Sequence, residues 1–288
     1  MEAPLVIVLV LAVLVGVSLG LLGGGGSILT VPLLTYVAGL EPTEAIAASL
    51  FVVGTTSIVS TVMHARRGNV RWRTGLVFGA AGMAGAFLGG LAGGHIPGTV
   101  LMIAFAAMMI ATALAMIRGR KARTDPGAGS SRELPVGRVV LDGLVVGLVT
   151  GLVGAGGGFL VVPALALLGG LPMPVAVGTS LLVIAMKSFA GLGGYLTSVS
   201  LDWPLVAAVT VAAVVGSFLG ARLTSRIPET MLRQGFGYFV LVMGAFVLHQ
   251  ELPGPMGAVA AGAVAVGLIA LGACRLAGER CPLPVRSS

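Results

Sequence analysis

Two stretches decide how this chain folds: LLGGGGSILTVPLL at 21–34 and LVGAGGGFLVVPAL at 152–165. Each sets a run of glycines inside apolar sequence and ends it with Val-Pro a few residues on. Helix propensity collapses across consecutive glycines, because each loses the most backbone freedom on folding. The apolar stretches after the breaks, approximately 28–39 and 159–169, are short. A spanning helix needs about 20 apolar residues at 1.5 Å each. Each glycine run therefore reads as a place where a helix enters a membrane, breaks, and returns as a half-helix.

Composition supports the membrane. The 288 residues are 57% hydrophobic and 9% charged, with 46 glycines. A soluble domain carries about 25% charged residues, and no soluble fold of this size could cover so much apolar surface. Disorder is excluded by the same figures, and two cysteines exclude a disulfide scaffold. The remaining apolar runs are approximately 3–22, 44–65, 74–93, 98–117, 138–153, 174–197, 203–221, 229–248 and 255–274. The expected fold class is an all-α polytopic membrane protein.

Charge gives direction. The net +7 would suggest nucleic acid in a soluble protein, but here position outweighs the sum. Arg66, Arg67, Arg71 and Arg73 form one cluster; Arg118, Arg120, Lys121, Arg123, Arg132 and Arg138 another. Arg222, Arg226 and Arg233 make a third, and Arg275, Arg280 and Arg286 a fourth. The intervening loops carry only acids: Glu2, Glu41, Glu44, Asp202 and Glu251. Basic loops stay in the cytoplasm, so the N-terminus is expected outside and the C-terminus inside. The first run lacks the basic segment and cleavage site of a signal peptide.

The chain repeats itself. When the second half is laid on the first without a gap, Gly23, Gly25 and Gly26 meet Gly154, Gly156 and Gly157. Val31-Pro32 meets Val162-Pro163, Ser49-Leu50 meets Ser180-Leu181, and Trp72 meets Trp203. Apolar composition alone would not put Trp and Pro in register. Matching loops carry opposite charge, so the repeats are expected to be inverted. The division is a first transmembrane repeat over 1–118, a cytoplasmic linker over 119–136, a second repeat over 137–250, and a C-terminal helix and tail over 251–288. Each repeat is expected to hold a glycine-broken re-entrant helix pair and three spanning helices. Inverted repeats with broken helices are the design of secondary transporters, whose substrate sits near the midplane between the halves.

These breaks point to candidate binding residues. Half-helix N-termini leave backbone N–H groups free and carry partial positive charge, which suits an anion. That singles out Gly24, Gly25, Gly26 and Ser27 in the first half, and Gly156, Gly157 and Gly158 in the second. The bland alternative is that these glycines only permit close packing. Lys187 is the one cation away from a membrane edge. A charge there costs about 2.5–3.5 kcal/mol on insertion scales and usually marks a pathway, although a snorkelling lysine is the alternative. Ser180 lies seven residues earlier on the same helical face, and Ser49 and Thr56 repeat that spacing in the first half. Thr179, Ser188 and Ser57 add hydroxyls. His64 reads as interfacial, Trp72 and Trp203 as interface anchors, and 79–94 as tight small-residue packing. No metal motif and no nucleophile–base pair is visible, so no cofactor, metal site, catalytic residue or enzyme activity is expected.

LVGAGGGFLVVPALALLGGLPMPVAVGTSL at 152–181, followed by LDWP and VGSFLGARLTSRIPE, resembles the sulfite exporter TauE/SafE family. The first half, LLGGGGSILTVPLLTYVAGLEPTEAIAASL, is similar but has Ala48-Ser49 where the second has Thr179-Ser180. The likeness covers roughly residues 5–250 and implies a plasma-membrane transporter of small sulfur-containing anions such as sulfite, thiosulfate or organosulfonates. Lys187 stands outside the shared pattern, and its role rests on the physical argument. No carboxylate sits mid-helix, so no proton or sodium relay is visible. The membrane potential drives anions outward at about 2.3 kcal/mol per charge per 100 mV, which favours export. The alternative is an anion channel or a facilitator for a non-sulfur anion. The partners expected are the anion and the lipid bilayer, with no nucleic acid; a homo-oligomer is left open.

Overall fold

The computed structural model describes residues 2–22, 25–118, 136–153, 161, 173–223 and 229–252. Eight long helices occupy them: α1 Glu2–Leu22, α2 Pro42–Ala65, α3 Trp72–Gly93, α4 Gly98–Arg118, α5 Val136–Val153, α6 Met173–Tyr195, α7 Trp203–Leu223 and α8 Glu229–Glu251. There is no strand among the described residues. The spans Pro42–Ala65, Trp72–Gly93, Val175–Tyr195 and Trp203–Arg222 are long and apolar enough to cross a membrane. The expected runs match these bounds within a few residues, because hydropathy sets where a helix can lie in lipid. Residues 119–135 of the linker, the second return near 159–169 apart from Val161, the run 255–274, and Cys274 and Cys281 fall outside the described residues.

After α1 the chain returns, so that Val37 and Ala38 line a small cavity with Leu5 and Val8. The returning segment is a mixed helix over 25–37, not an α-helix over 28–39. Gly25–Leu29 winds as a 3₁₀ turn, Thr30–Pro32 as α, and Leu33–Val37 as π. It packs against α1 and α2. The tight start comes from residues with little α preference, and Pro32 supplies no N–H to the ladder. Gly39 then takes φ +75°, a left-handed turn that glycine adopts freely, and Pro42 opens α2 at its first turn.

Two compact units are present. The smaller contains Met102–Lys121 and residues from Pro228 onward. In it α4 turns Phe105, Ala106, Met109 and Ala113 inward. Gly244 of α8 sits against Met109 and Ile110, where a Cβ would lie 3.1 Å from Ile110 Cγ1.

The larger unit holds α1, α2, α3, α5, α6 and α7. Glycine sets its architecture. A Cβ on Gly16 or Gly20 of α1 would strike the Ala213 or Ser217 carbonyl of α7. A Cβ on Gly147 or Gly151 of α5 would strike the Gly82 or Ala86 carbonyl of α3. These are the same contacts at matching positions of the two halves. From the other side, Gly85 and Gly89 meet Leu144 and Leu148 of α5, while Gly216 and Gly220 meet Val13 and Val17 of α1. Each close approach joins a helix of one half to a helix of the other. Lipid offers no hydrophobic drive for helix association, so backbone-to-backbone packing at small residues carries it.

Helix senses can be read from these pairs. Along α3, Gly75, Gly79 and Gly90 meet Leu182, Met186 and Gly191 in order, so α3 and α6 run together. α5 runs with α3, and α1 with α7. Short turns at 66–71 and 196–202 reverse α2 into α3 and α6 into α7. Hence α1, α2 and α7 run one way, and α3, α5 and α6 the other.

Candidate functional site at the crossing of α2 and α6

The two crossing helices meet where glycine admits a large side chain. Gly54 of α2 faces the Phe189 ring, and a Cβ there would sit 3.0 Å from it. Gly191 of α6 faces Leu50 at 3.3 Å on the same basis. Phe51 meets Phe189 edge-on at 6.2 Å and Trp203 at 5.5 Å. Continuing this antiparallel register brings Thr56 to the level of Lys187.

Lys187 is 1% exposed. Its stem crosses α3 over Gly82, where a Cβ would be 2.7 Å from its Cδ. Any larger residue at 82 would block that path. The ammonium donates to Thr150 Oγ1 of α5 at 3.2 Å. The Thr150 hydroxyl donates in turn to the Val146 carbonyl at 2.7 Å, so a lone pair faces the lysine. Thr150 stands four residues before Gly154, one turn ahead of the second glycine run. A hydroxyl is a neutral partner, and among the described residues it leaves the lysine's charge uncompensated. That is costly in a buried setting unless a negative group joins it.

Ser57 and Ser188 occupy matching positions, one residue after Thr56 and Lys187. Both are 1% exposed, and neither Oγ has a hydrogen-bond partner among the described residues. A serine within a helix can bond the carbonyl three or four residues back, as Ser180 does to Val177 at 2.7 Å. Two matching serines that do not are unusual, since buried polar groups are nearly always paired. Thr30 of the return segment is also buried, and its hydroxyl has no partner among the described residues.

The expected residues thus divide. Lys187, Ser188 and Thr56 share one level, with the Thr56 hydroxyl turned to the Val52 carbonyl at 2.8 Å. Ser49 and Ser180 are buried, but each lies about 10 Å along its helix from that level, at 1.5 Å per residue. Thr179 serves elsewhere: its hydroxyl accepts the Arg71 N–H at 3.0 Å, tying the start of α3 to α6. Ser27 is buried within the 3₁₀ turn that Gly25 and Gly26 begin. Gly24, Gly156, Gly157 and Gly158 lie outside the described residues. Sequence reasoning missed Thr150 and Gly82. The one available signal was a polar residue a single turn ahead of a glycine run.

A protein-family model described as "Sulfite exporter TauE/SafE" matches residues 8–247. The chain belongs to the TauE/SafE family. A probable membrane transporter protein of Xylella fastidiosa is 36% identical over 242 residues, covering 82% of this chain and 91% of its own length. One of Methanocaldococcus jannaschii is 30% identical over 269 residues, covering 86% and 98%. The YdhB probable membrane transporter protein of Bacillus subtilis is 27% identical over 243 residues, covering 84% and 99%. No solved structure matches the chain. This TauE/SafE protein is therefore a multi-pass membrane transporter.

Proposed function

We propose that this transporter exports small sulfur-containing anions of the sulfite, thiosulfate or organosulfonate class across the plasma membrane, by alternating access between two inverted repeats. The observation that carries this reading is Lys187: a buried ammonium whose described partner is a neutral hydroxyl. An oxyanion supplies the missing charge and accepts from the ammonium and from the free Ser57 and Ser188 hydroxyls. The opposite senses of matching helices, and the glycine contacts that recur in both halves, support inversion. Alternating access needs two such halves around one site. Basic loops set the N-terminus outside and the tail in the cytoplasm, and the membrane potential then favours export. The family description names sulfite export.

The test is efflux from proteoliposomes loaded with sulfite, thiosulfate, taurine, sulfoacetate or chloride. Protein-dependent, saturable efflux of a sulfur anion, lost in Lys187→Met, is expected. Chloride efflux that equals it would remove the cargo reading, and efflux untouched by Lys187→Met would remove the site.

A further inference from the structure

Beyond the crossing, α2 carries a second polar feature. Ser57, Ser60, Thr61 and His64 fall at i, i+3, i+4 and i+7, which is one face of a helix. Ser57, Ser60 and Thr61 are all buried. Ile58 and Val62, on the other face, are 47% and 48% exposed. The helix is thus apolar outside and polar inside, the reverse of a helix in water. Polar groups inside a membrane protein face the bundle interior or a pathway. Two members of the face are unsatisfied: the Ser57 hydroxyl and His64 Nδ1, both buried without a partner among the described residues. The Thr61 hydroxyl bonds the Ser57 carbonyl at 2.7 Å. His64 lies in the last turn of α2, its Cβ against Gly178 of α6. Arg66, Arg67, Arg71 and Arg73 come directly after it.

The matching face of α6 is built differently. In the register that sets Gly23 on Gly154, Ser57, Ser60, Thr61 and His64 become Ser188, Gly191, Leu192 and Tyr195. Leu192 is apolar and buried. Tyr195 is fully buried against Gly93 of α3, and its hydroxyl donates to the Leu152 carbonyl of α5 at 2.5 Å. Its polar atom is satisfied within the protein, and its ring fills the space at that end. Among the described residues, one end of the crossing therefore offers unpaired polar groups, and the other is filled by Tyr195.

We infer that the arginine-bearing half of the substrate path runs along Ser57, Ser60, Thr61 and His64 of α2, with Tyr195 closing the opposite end. This rests on the transporter reading above, and it adds the route between Lys187 and the arginine loop. The Ser57 hydroxyl and an imidazole N–H offer neutral donors to a small oxyanion. Such groups let it pass without binding so tightly that it cannot leave.

Single cysteines test the route. In the full chain with Cys274 and Cys281 replaced by serine, the variants are Ser57→Cys, Ser60→Cys, Thr61→Cys and His64→Cys, with Ile58→Cys and Val62→Cys as controls. Each is scored for monodispersity and efflux, then treated with a membrane-impermeant maleimide in inside-out and right-side-out vesicles. The face positions should react about tenfold or more faster than the controls, from the arginine-loop side, since an aqueous path ionises thiols and lipid does not. In a Tyr195→Ala background, an added Leu192→Cys should become reactive from the other side. Equal rates at face and control positions overturn the route. So does no reaction at any face position in variants that still transport. Any face variant that fails to fold is read through its neighbours on the same face. The labelling pattern needs no cargo. If it appears while no sulfur anion is carried, the cargo reading falls and the route stands.

Discussion

Lys187 has Thr150 and Gly82 beside it; the three matching positions of the other half hold Thr56, Leu19 and Ala213. The frame around the two sets is the same. Gly147 approaches Gly82 as Gly16 approaches Ala213, carbonyl against α-carbon. The chemistry is not the same. One half has a cation, a hydroxyl to receive it and an empty Cβ position to let its stem pass. The other has a threonine turned to its own helix, a buried leucine and a buried alanine. The frame recurs, while the buried cation and the hydroxyl that receives it occur in one copy. The three differences go together: without Thr150 the lysine would lack its neutral partner, and a Cβ at 82 would lie 2.7 Å from its Cδ.

The largest expected effect tests the shared frame. Gly147→Val and Gly16→Val should each abolish accumulation of monodisperse protein, because a branched side chain would separate helices held backbone to backbone. Overpacking a core costs about 1–3 kcal/mol and occasionally more, and displaced backbones lie at the upper end. Size-exclusion profiles in detergent check this. If only one variant fails, the two halves are not equivalent scaffolds.

Next comes the charge. Lys187→Met keeps the stem and should lower efflux about a hundredfold, in line with the loss of a charged hydrogen bond worth about 1.5–3 kcal/mol. Moving the lysine sharpens the comparison. The pair Thr56→Lys with Lys187→Thr should remain inactive. Adding Leu19→Thr and Ala213→Gly should restore measurable efflux. Restoration by the first pair alone would mean that the neighbours do not matter.

A smaller effect is expected at Thr150. Thr150→Val preserves shape and removes the ammonium's partner, so apparent affinity should fall about tenfold, or about 1.4 kcal/mol. Thr150→Ser should stay near wild type. An unchanged half-saturating concentration for both would detach Thr150 from the site.

The smallest concerns the loops. The N–H of Arg71 is held by Thr179, while that of Asp202 is held by Glu44 Oε1 at 3.3 Å in an exposed position. The difference arises because Ala48 stands where the other half has Thr179. Thr179→Val should cost about 1 kcal/mol, and Glu44→Gln less. Unfolding midpoints measure both. The reverse order would mean that the exposed latch is the stronger one.

Much was legible along the chain. Helix bounds tracked hydropathy, and the break after Leu22 came from glycine. Lys187 stood out because a charge in an apolar run is rare. The winding after the break was less legible. A 3₁₀ start and a π finish depend on how 25–37 packs on α1 and α2 as well as on propensity. Thr179 shows a related limit: it reads from sequence as one more hydroxyl near Lys187, but its Oγ1 accepts the N–H of Arg71, 108 residues away.

The sequence by itself determined which segments enter the membrane, where the first one breaks, and that the chain holds two related halves. These are local or periodic properties, set by the free energy of placing each residue in lipid and by backbone freedom. Only the tertiary structure decided that Thr150 receives Lys187, that Gly82 clears its path, and that Ser57 and Ser188 are left unpaired among the described residues. Those facts depend on which helices touch. In lipid that is settled by the fit of small residues between distant segments, which no single stretch of sequence contains.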